Sequence, residues 1–135
     1  MALRKEAQVV ARYRTGEVMK GRTNNFDPLK LDFTLYPLDA ALAKEPTLIA
    51  LQELKAIFFV RDFAGDPAYV EQKVFQQPRS GRKLEITFED GEVLVGTSLG
   101  FDPVRPGFFL FPADPASNNE RVYVVKSSVK GVRKL

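Results

Sequence analysis

The chain has 135 residues, of which 44% are hydrophobic, enough to build a core in one ordinary domain or in two very small ones. Twenty basic and 17 acidic side chains leave a net charge of only +3, so no strong attraction to nucleic acid or membranes is expected. The sequence contains no cysteine and no histidine, which excludes disulfides, thiolate metal sites and most zinc sites and hydrolase triads; we therefore expect a protein that is not an enzyme and holds no cofactor or metal.

The start of the chain shows no targeting segment. Residues 1–6 lack the apolar core of a signal peptide, and no apolar run approaches the length of a membrane span. The expected location is the cytoplasm, without membrane association.

The first predicted element is a β-hairpin. Val9, Ala11 and Tyr13 alternate with mostly polar residues, which is the period of a half-buried strand. Thr15-Gly16 supplies the turn, because glycine can adopt the positive φ that a tight hairpin requires. A second strand then leads to Gly21.

Three further strands are predicted in the first half of the chain, after a loop that contains Phe26, Asp27 and Pro28. Pro37 ends the third strand because it has no N–H to donate to a ladder. The predicted strands are residues 30–37, 47–51 and 55–61, separated by a polar loop at 38–46 and a two-residue turn at 52–53.

A linker follows the first half. Its middle piece, Ala68–Phe75, is expected to form a short helix or an extra strand, and its two ends have turn composition.

The second half repeats the first at a fixed offset of 75 residues. Residues 9–60 and 84–135 share 14 identities over 52 positions, against roughly three or four expected by chance. Phe101, Asp102 and Pro103 repeat the Phe-Asp-Pro loop of the first half. We therefore predict an all-β protein of two tandem five-stranded small barrels, related by pseudo-two-fold symmetry and packed as one compact body. The predicted units are a first repeat at 7–62, a linker at 63–82 and a second repeat at 83–135.

Each repeat resembles the Sm-like and SH3-like small barrels. The similarity lies in residues 88–102, where an Asp-Gly hairpin, alternating apolar residues, a glycine and a final Phe-Asp follow one another. RNA-binding Sm proteins place an Asn shortly after this Asp and an Arg-Gly pair in the later turn. Here Pro28 or Pro103 follows the Asp, and Gln52-Glu53 or Ser127-Ser128 occupies the turn. The resemblance therefore implies the fold and not the RNA site.

The whole chain is also similar to an uncharacterised bacterial family, through the runs Leu54–Phe63 and Arg105–Pro112. Such proteins are sometimes associated with PilZ-type signalling domains. The signature by which PilZ proteins bind cyclic dinucleotides, Arg-x-x-x-Arg with a later Asp/Asn-x-Ser-x-x-Gly, is absent from this sequence.

Two runs are too apolar for strands with one wet face. Ile57–Val60 and Phe108–Phe111 are expected to be covered on both faces and to form the interface between the repeats. The alternative is that some of these rings form an exposed surface for a partner or for a second copy, giving a homodimer.

Candidate catalytic groups reduce to carboxylates, although an Asp between an aromatic residue and a proline is far more often a turn that caps backbone N–H groups. They are Asp27, Asp102, Asp39, Asp114, Glu17 and Glu92.

Three classes of function remain open. We favour a protein-interaction or regulatory module that uses the loops around Phe26-Asp27-Pro28 and Phe101-Asp102-Pro103 to hold a protein partner. A nucleic-acid-binding barrel would use the basic stretch of Lys126, Lys130, Arg133 and Lys134, which otherwise reads as a solvated edge strand blunted by charge. A sensor of small ligands or nucleotides would use a cleft between the repeats, with polar groups from Asn24, Asn25, Asn118 and Asn119.

Overall fold

The computed structural model describes residues 6–38, 45–75, 80–100 and 103–135. The described residues form ten strands and two short 3-10 turns, with no α-helix, and every strand pair is antiparallel. The strands are β1 Ala7–Tyr13, β2 Val18–Thr23, β3 Asp32–Pro37, β4 Thr47–Ala50, β5 Leu54–Val60, β6 Arg82–Phe88, β7 Val93–Ser98, β8 Gly107–Pro112, β9 Asn119–Val125 and β10 Val129–Lys134, and the turns are Leu51–Glu53 and Lys126–Ser128. The prediction of an all-β protein is confirmed.

The elements recur with the period seen in the sequence. β1, β2, β3, β5 and the first 3-10 turn each begin 75 residues before their counterparts in the second half, whereas β9 begins three residues earlier than the counterpart of β4 would. Both predicted hairpins are present. Their turns contain Gly16 at φ 98° and Gly91 at φ 92°, a backbone conformation that residues with a Cβ resist.

All ten strands belong to one sheet, in the order β10-β6-β7-β8-β9-β5-β1-β2-β3-β4. Each half therefore has the same internal order, with its last strand beside its first. The two halves are joined where β5 pairs with β9. The sheet is open and is not closed into a barrel, so the barrels predicted for the repeats are not confirmed, and the division into 7–62, 63–82 and 83–135 stays a prediction.

β5 separates two hydrophobic cores. Ala56, Phe58 and Val60 face the core of the second half, and Ile57 and Phe59 face the core of the first. Every residue of β5 is buried, which confirms the expectation that both faces of Ile57–Val60 are covered.

The second apolar run behaves differently. In β8, Phe108 and Leu110 are buried while Phe109 and Phe111 are partly exposed. β8 pairs only with β7 and β9 of its own half, because β9 lies between β8 and β5, so this run does not join the repeats by strand pairing. Its side chains still contribute to the interface between the halves, since Phe108 and Leu110 share one core cluster with Phe58 and Phe109 packs against the other cluster.

The linker contains neither a helix nor a strand in its described residues, 62–75 and 80–81, which corrects the expectation for Ala68–Phe75. Some of its polar groups form turns within the linker, such as the Ala68 N–H that donates to Asp66 Oδ1, and others bond to the second half. The Tyr69 hydroxyl and the Gln72 N–H both donate to the Asp114 carboxylate, and Ser117 Oγ donates to Glu71. No helix in the described parts of the chain is long and apolar enough to cross a membrane.

Candidate interaction site at the junction of the two halves

A cleft of about 500 Å³ opens to solvent where the loop between β2 and β3 approaches β8 and β9. The first half contributes Pro28, and the loop between β7 and β8 contributes Leu99 and Arg105. The remaining wall is aromatic, because alternate residues of β8 and one residue of β9 point into it: Phe109, Phe111 and Tyr123. The cleft thus combines apolar rings with one exposed cation.

Tyr123 forms the buried wall of this cleft. Only 1% of its surface is exposed, and among the described residues its hydroxyl has no hydrogen bond of ordinary geometry. Burial raises the pKa of Tyr123, while the charge of Arg105 and the nearby Gly107 N–H act in the opposite direction. Gly107 also makes room for the ring, since a Cβ there would lie 2.6 Å from Tyr123 Cε2. A buried hydroxyl without a hydrogen-bond partner is unusual in a folded protein.

The Phe26 ring packs against two of the rings that line the cleft, those of Phe109 and Tyr123. Its ring centre lies 5.6 Å from that of Phe33, 5.5 Å from Phe59, 6.0 Å from Phe109 and 5.0 Å from Tyr123, each in an edge-to-face arrangement. Such pairs stabilise the packing beyond their burial alone. Phe26 therefore fixes the loop on the core, and its part in binding a partner stays a prediction.

The other predicted loop residues have separate roles. Asp27 Oδ1 accepts the Leu29 N–H at 2.9 Å and the Asp27 carbonyl accepts the Lys30 N–H at 2.9 Å, which is turn geometry. Pro28 lines the cleft. In the second copy of the loop, Phe101 and Asp102 lie outside the described residues, and Pro103 is exposed.

Three exposed apolar side chains line the cleft or adjoin its lining residues in the chain: Leu99 lines it, Leu29 follows Pro28, and Val104 precedes Arg105. Leu29 is 70% exposed, Leu99 71% and Val104 91%. Leu29 and Val104 occupy equivalent positions, each directly after a Phe-Asp-Pro sequence. Sequence reasoning missed them, although an apolar residue after the proline in both copies was a usable signal.

The predicted basic edge is divided by the structure. β10 is an edge strand, and it carries Lys130, Arg133 and Lys134, while Lys126 lies in the 3-10 turn before it. Arg133 pairs with Glu85 through Nη2 and Oε2 at 2.9 Å, and this hydrogen bond lowers the pKa of Glu85. The pairing neutralises part of the positive charge that nucleic acid would require.

Three of the six candidate carboxylates make structural contacts: Asp27, Asp114 and Glu92. Asp114 is buried, accepts the N–H groups of Gln72 and Ala116 at 2.8 Å each, and so has a lowered pKa. Glu92 pairs with Lys55, whereas Glu17 is exposed. Asp39 and Asp102 lie outside the described residues, and the remaining described acids include no group of three that could hold a metal ion.

Two of the asparagines proposed for a ligand cleft, Asn25 and Asn118, form hydrogen bonds with backbone groups instead. Asn25 Oδ1 accepts the Thr34 N–H at 3.0 Å, and Asn118 Nδ2 donates to the Asp62 carbonyl at 2.8 Å. Neither lines the cleft.

Lys55 links the two halves electrostatically. Its ammonium is buried, lies 2.6 Å from Asp90 Oδ2, pairs with Glu92 and sits 4.7 Å from the centre of the Phe88 ring. Lys55 belongs to β5 of the first half, and its partners belong to the β6–β7 hairpin of the second. This contact, together with the β5–β9 ladder, ties one half to the other.

Residues 5–135 match the profile of a family of unknown function, DUF6982. No curated protein and no solved structure matches the chain.

Proposed function

The chain belongs to the DUF6982 family, and we propose that it is a non-catalytic protein-interaction module whose cleft at the junction of the two halves binds a short segment of a partner protein. The observation that carries the proposal is a group of exposed apolar side chains at an aromatic cleft: Leu99 lines it, and Leu29 and Val104 adjoin its lining residues Pro28 and Arg105 in the chain. Exposed apolar side chains gathered at one place on a folded protein mark a contact site.

The lining of the cleft specifies the chemistry of the segment. Phe109 and Phe111 suit an apolar side chain, and Arg105 suits a neighbouring carboxylate. The preferred segment is therefore apolar and carries an acidic residue.

The test is to compare proteins that co-purify with the tagged chain from its native cells. Replacing both Leu29 and Val104 by Asp should lower the recovery of a specific partner about tenfold or more, because the variant places acids where an acidic, apolar segment docks. The matched control is Val70→Asp, since Val70 is 75% exposed but lies in the linker. Equal recovery by the Leu29/Val104 variant and the control would disprove the proposal.

Two parallel measurements test the other two functions. Retention on heparin that persists beyond modest salt would favour nucleic-acid binding. A thermal shift with nucleotides that Tyr123→Phe removes would favour a small-ligand sensor in the same cleft.

We also propose that each half is a copy of one small-barrel unit of the Sm-like or SH3-like type. Support comes from the 75-residue offset between corresponding strands and from the shared order in which the last strand of each half lies beside its first. Independent superposition of the halves in an experimental structure tests this proposal, and halves that do not superimpose would contradict it.

A further inference from the structure

The joint between the halves is an edge-to-edge pairing of two non-equivalent strands. β5 is the last strand of the first half, and β9 is the fourth strand of the second. Ile57 lies opposite Tyr123 in this ladder, and both side chains are at most 1% exposed. The fourth strand of one unit therefore fits the last strand of another.

The same two kinds of strand form the outer edges of the molecule. β4 ends the sheet on one side and β10 ends it on the other. Leu48 in β4 is the counterpart of Tyr123, and it is 68% exposed. Val132 in β10 is the counterpart of Ile57, and it is 48% exposed. Each outer edge thus exposes an apolar side chain where the inner joint buries one.

A pocket of about 450 Å³ lies beside β10 and is lined in part by Leu84, Val132 and Lys134. Their counterparts in the first half all belong to the core cluster that contains Tyr123: Val9, Ile57 and Phe59. The pocket is therefore equivalent in position to the place that the Tyr123 ring fills in the first half. This equivalence predicts that the pocket accepts an apolar side chain from the fourth strand of a repeat.

One of the two ion pairs of Lys55 follows the same pattern, whereas its other partner, Asp90, has the uncharged Thr15 as its counterpart. Lys55 and Glu92, which pair across the inner joint, have identical counterparts in Lys130 and Glu17, and both of these are exposed. Lys55 sits over the Phe88 ring, whose counterpart is Tyr13. Burial is the largest cause that raises the pKa of Tyr13, and the charges of Glu53 and Glu17 raise it further. Two acids therefore lie near the site that would receive Lys130.

We propose that copies of this chain associate head to tail, with β10 of one copy pairing antiparallel with β4 of the next in the register by which β5 pairs with β9. Val132 then lies opposite Leu48 of the next copy, and Lys130 reaches its Glu17. The proposed joint lies at the outer edges of the sheet and the partner cleft lies at the junction inside each chain, although Leu99 and Gly100 line both that cleft and the pocket beside β10.

The proposed joint is shorter than the inner one. β4 has four residues where β9 has seven, and Pro46 before it has no N–H to donate. The charges on β10 further limit pairing with unrelated strands. Association is therefore reversible and depends on concentration, and because the contact joins two different surfaces it produces a closed ring or an open chain of copies.

Sedimentation velocity on the full chain over a concentration series is the first test. The wild type should show a mass that rises with concentration, and Leu48→Lys or Val132→Lys should weaken association roughly 10- to 100-fold by removing one apolar edge contact. Leu29→Lys is the matched control, because Leu29 is equally exposed but lies off both edges. Thermal melts establish that each variant is folded.

Mixing the two edge variants tests the head-to-tail geometry. Leu48→Lys keeps an intact β10 edge and Val132→Lys keeps an intact β4 edge, so the mixture should form a dimer and nothing larger. A Val132→Lys variant that associates as strongly as the wild type would instead mean that two β4 edges pair, and would overturn the proposal.

A charge exchange tests the register with residues that are fully on the surface. Glu17→Lys and Lys130→Glu should each weaken association, and the double variant should restore it. A wild type that stays monomeric at every concentration, or a double variant no better than either single one, would overturn the proposal and leave β10 as an edge protected by its charges.

Discussion

Asp114 shows how a residue with catalytic potential serves the fold. Its carboxylate accepts hydrogen bonds from Tyr69 and Gln72 of the linker and from Ala116 of its own loop. Because Asp114 is buried, removal of the carboxylate leaves backbone donors without partners. The linker is thus held on the second half by one acid.

We expect Asp114→Ala to lower the free energy of unfolding by about 2–4 kcal/mol, since several hydrogen bonds to one charged group are lost. Asp27→Ala removes a single hydrogen bond in a turn and should cost about 1 kcal/mol or less. Chemical denaturation of both variants measures the difference. Equal losses would show that Asp114 does not anchor the linker.

Acid should destabilise the protein partly through the same residue. The Gln72 N–H and then the Tyr69 hydroxyl lower the pKa of Asp114, and Lys55 lowers that of Asp90. A lowered folded-state pKa contributes stability that is present above the unfolded pKa, about 3.9 for Asp, and is lost as the pH falls through the folded value. Asp114→Asn should therefore lose less stability than the wild type when denaturation at pH 6 is compared with denaturation near pH 3. An unchanged difference would rule out this role.

Among the secondary-structure elements, each hairpin contains two glycines with different structural roles. Gly91 is in the turn at positive φ, with open space around it, whereas a Cβ on Gly96 in β7 would overlap the Phe111 carbonyl oxygen in β8. The first glycine relieves backbone strain, and the second permits close approach of two strands.

Gly96→Ala should accordingly destabilise the protein more than Gly91→Ala. We expect about 1 kcal/mol for Gly91→Ala, from positive φ alone, and about 2–4 kcal/mol for Gly96→Ala, because backbone atoms must move apart. Thermal or urea unfolding of the two variants gives the order. A larger loss for Gly91→Ala would mean that β7 and β8 can separate at little cost.

Local patterns predicted most of the strands, because alternation and turn residues act over a few positions and each signal occurs twice. The linker could not be predicted from its own residues, since Ala68–Phe75 is held by Asp114, which is distant in sequence. The loop at Phe26–Pro28 and a cleft between the repeats were both predicted, but the aromatic wall that Tyr123 gives this cleft was not. Tyr123 forms its wall only because β9 pairs with β5, a contact between halves that no local pattern contains.

On the scale of the whole molecule, the two cores depend on the same strands. β5 sends alternate side chains into both cores, and β9 does the same with Val124 and Tyr123. Separating the halves would expose one face of each core along the β5–β9 ladder. Neither half can therefore keep its full core without the other.

Unfolding should for this reason be a single cooperative transition. Phe33 and Phe108 are equivalent buried residues in opposite cores, and replacing either by Leu should shift the same transition by about 1–2 kcal/mol, because the ring contacts are lost while most of the volume is kept. Circular dichroism in urea, with hydrogen exchange recorded in both halves, would show Phe33→Leu reducing protection in the second half as well as in the first. If Phe33→Leu lowered protection only in the first half and Phe108→Leu only in the second, the halves would be independent units and the shared-strand account would fail.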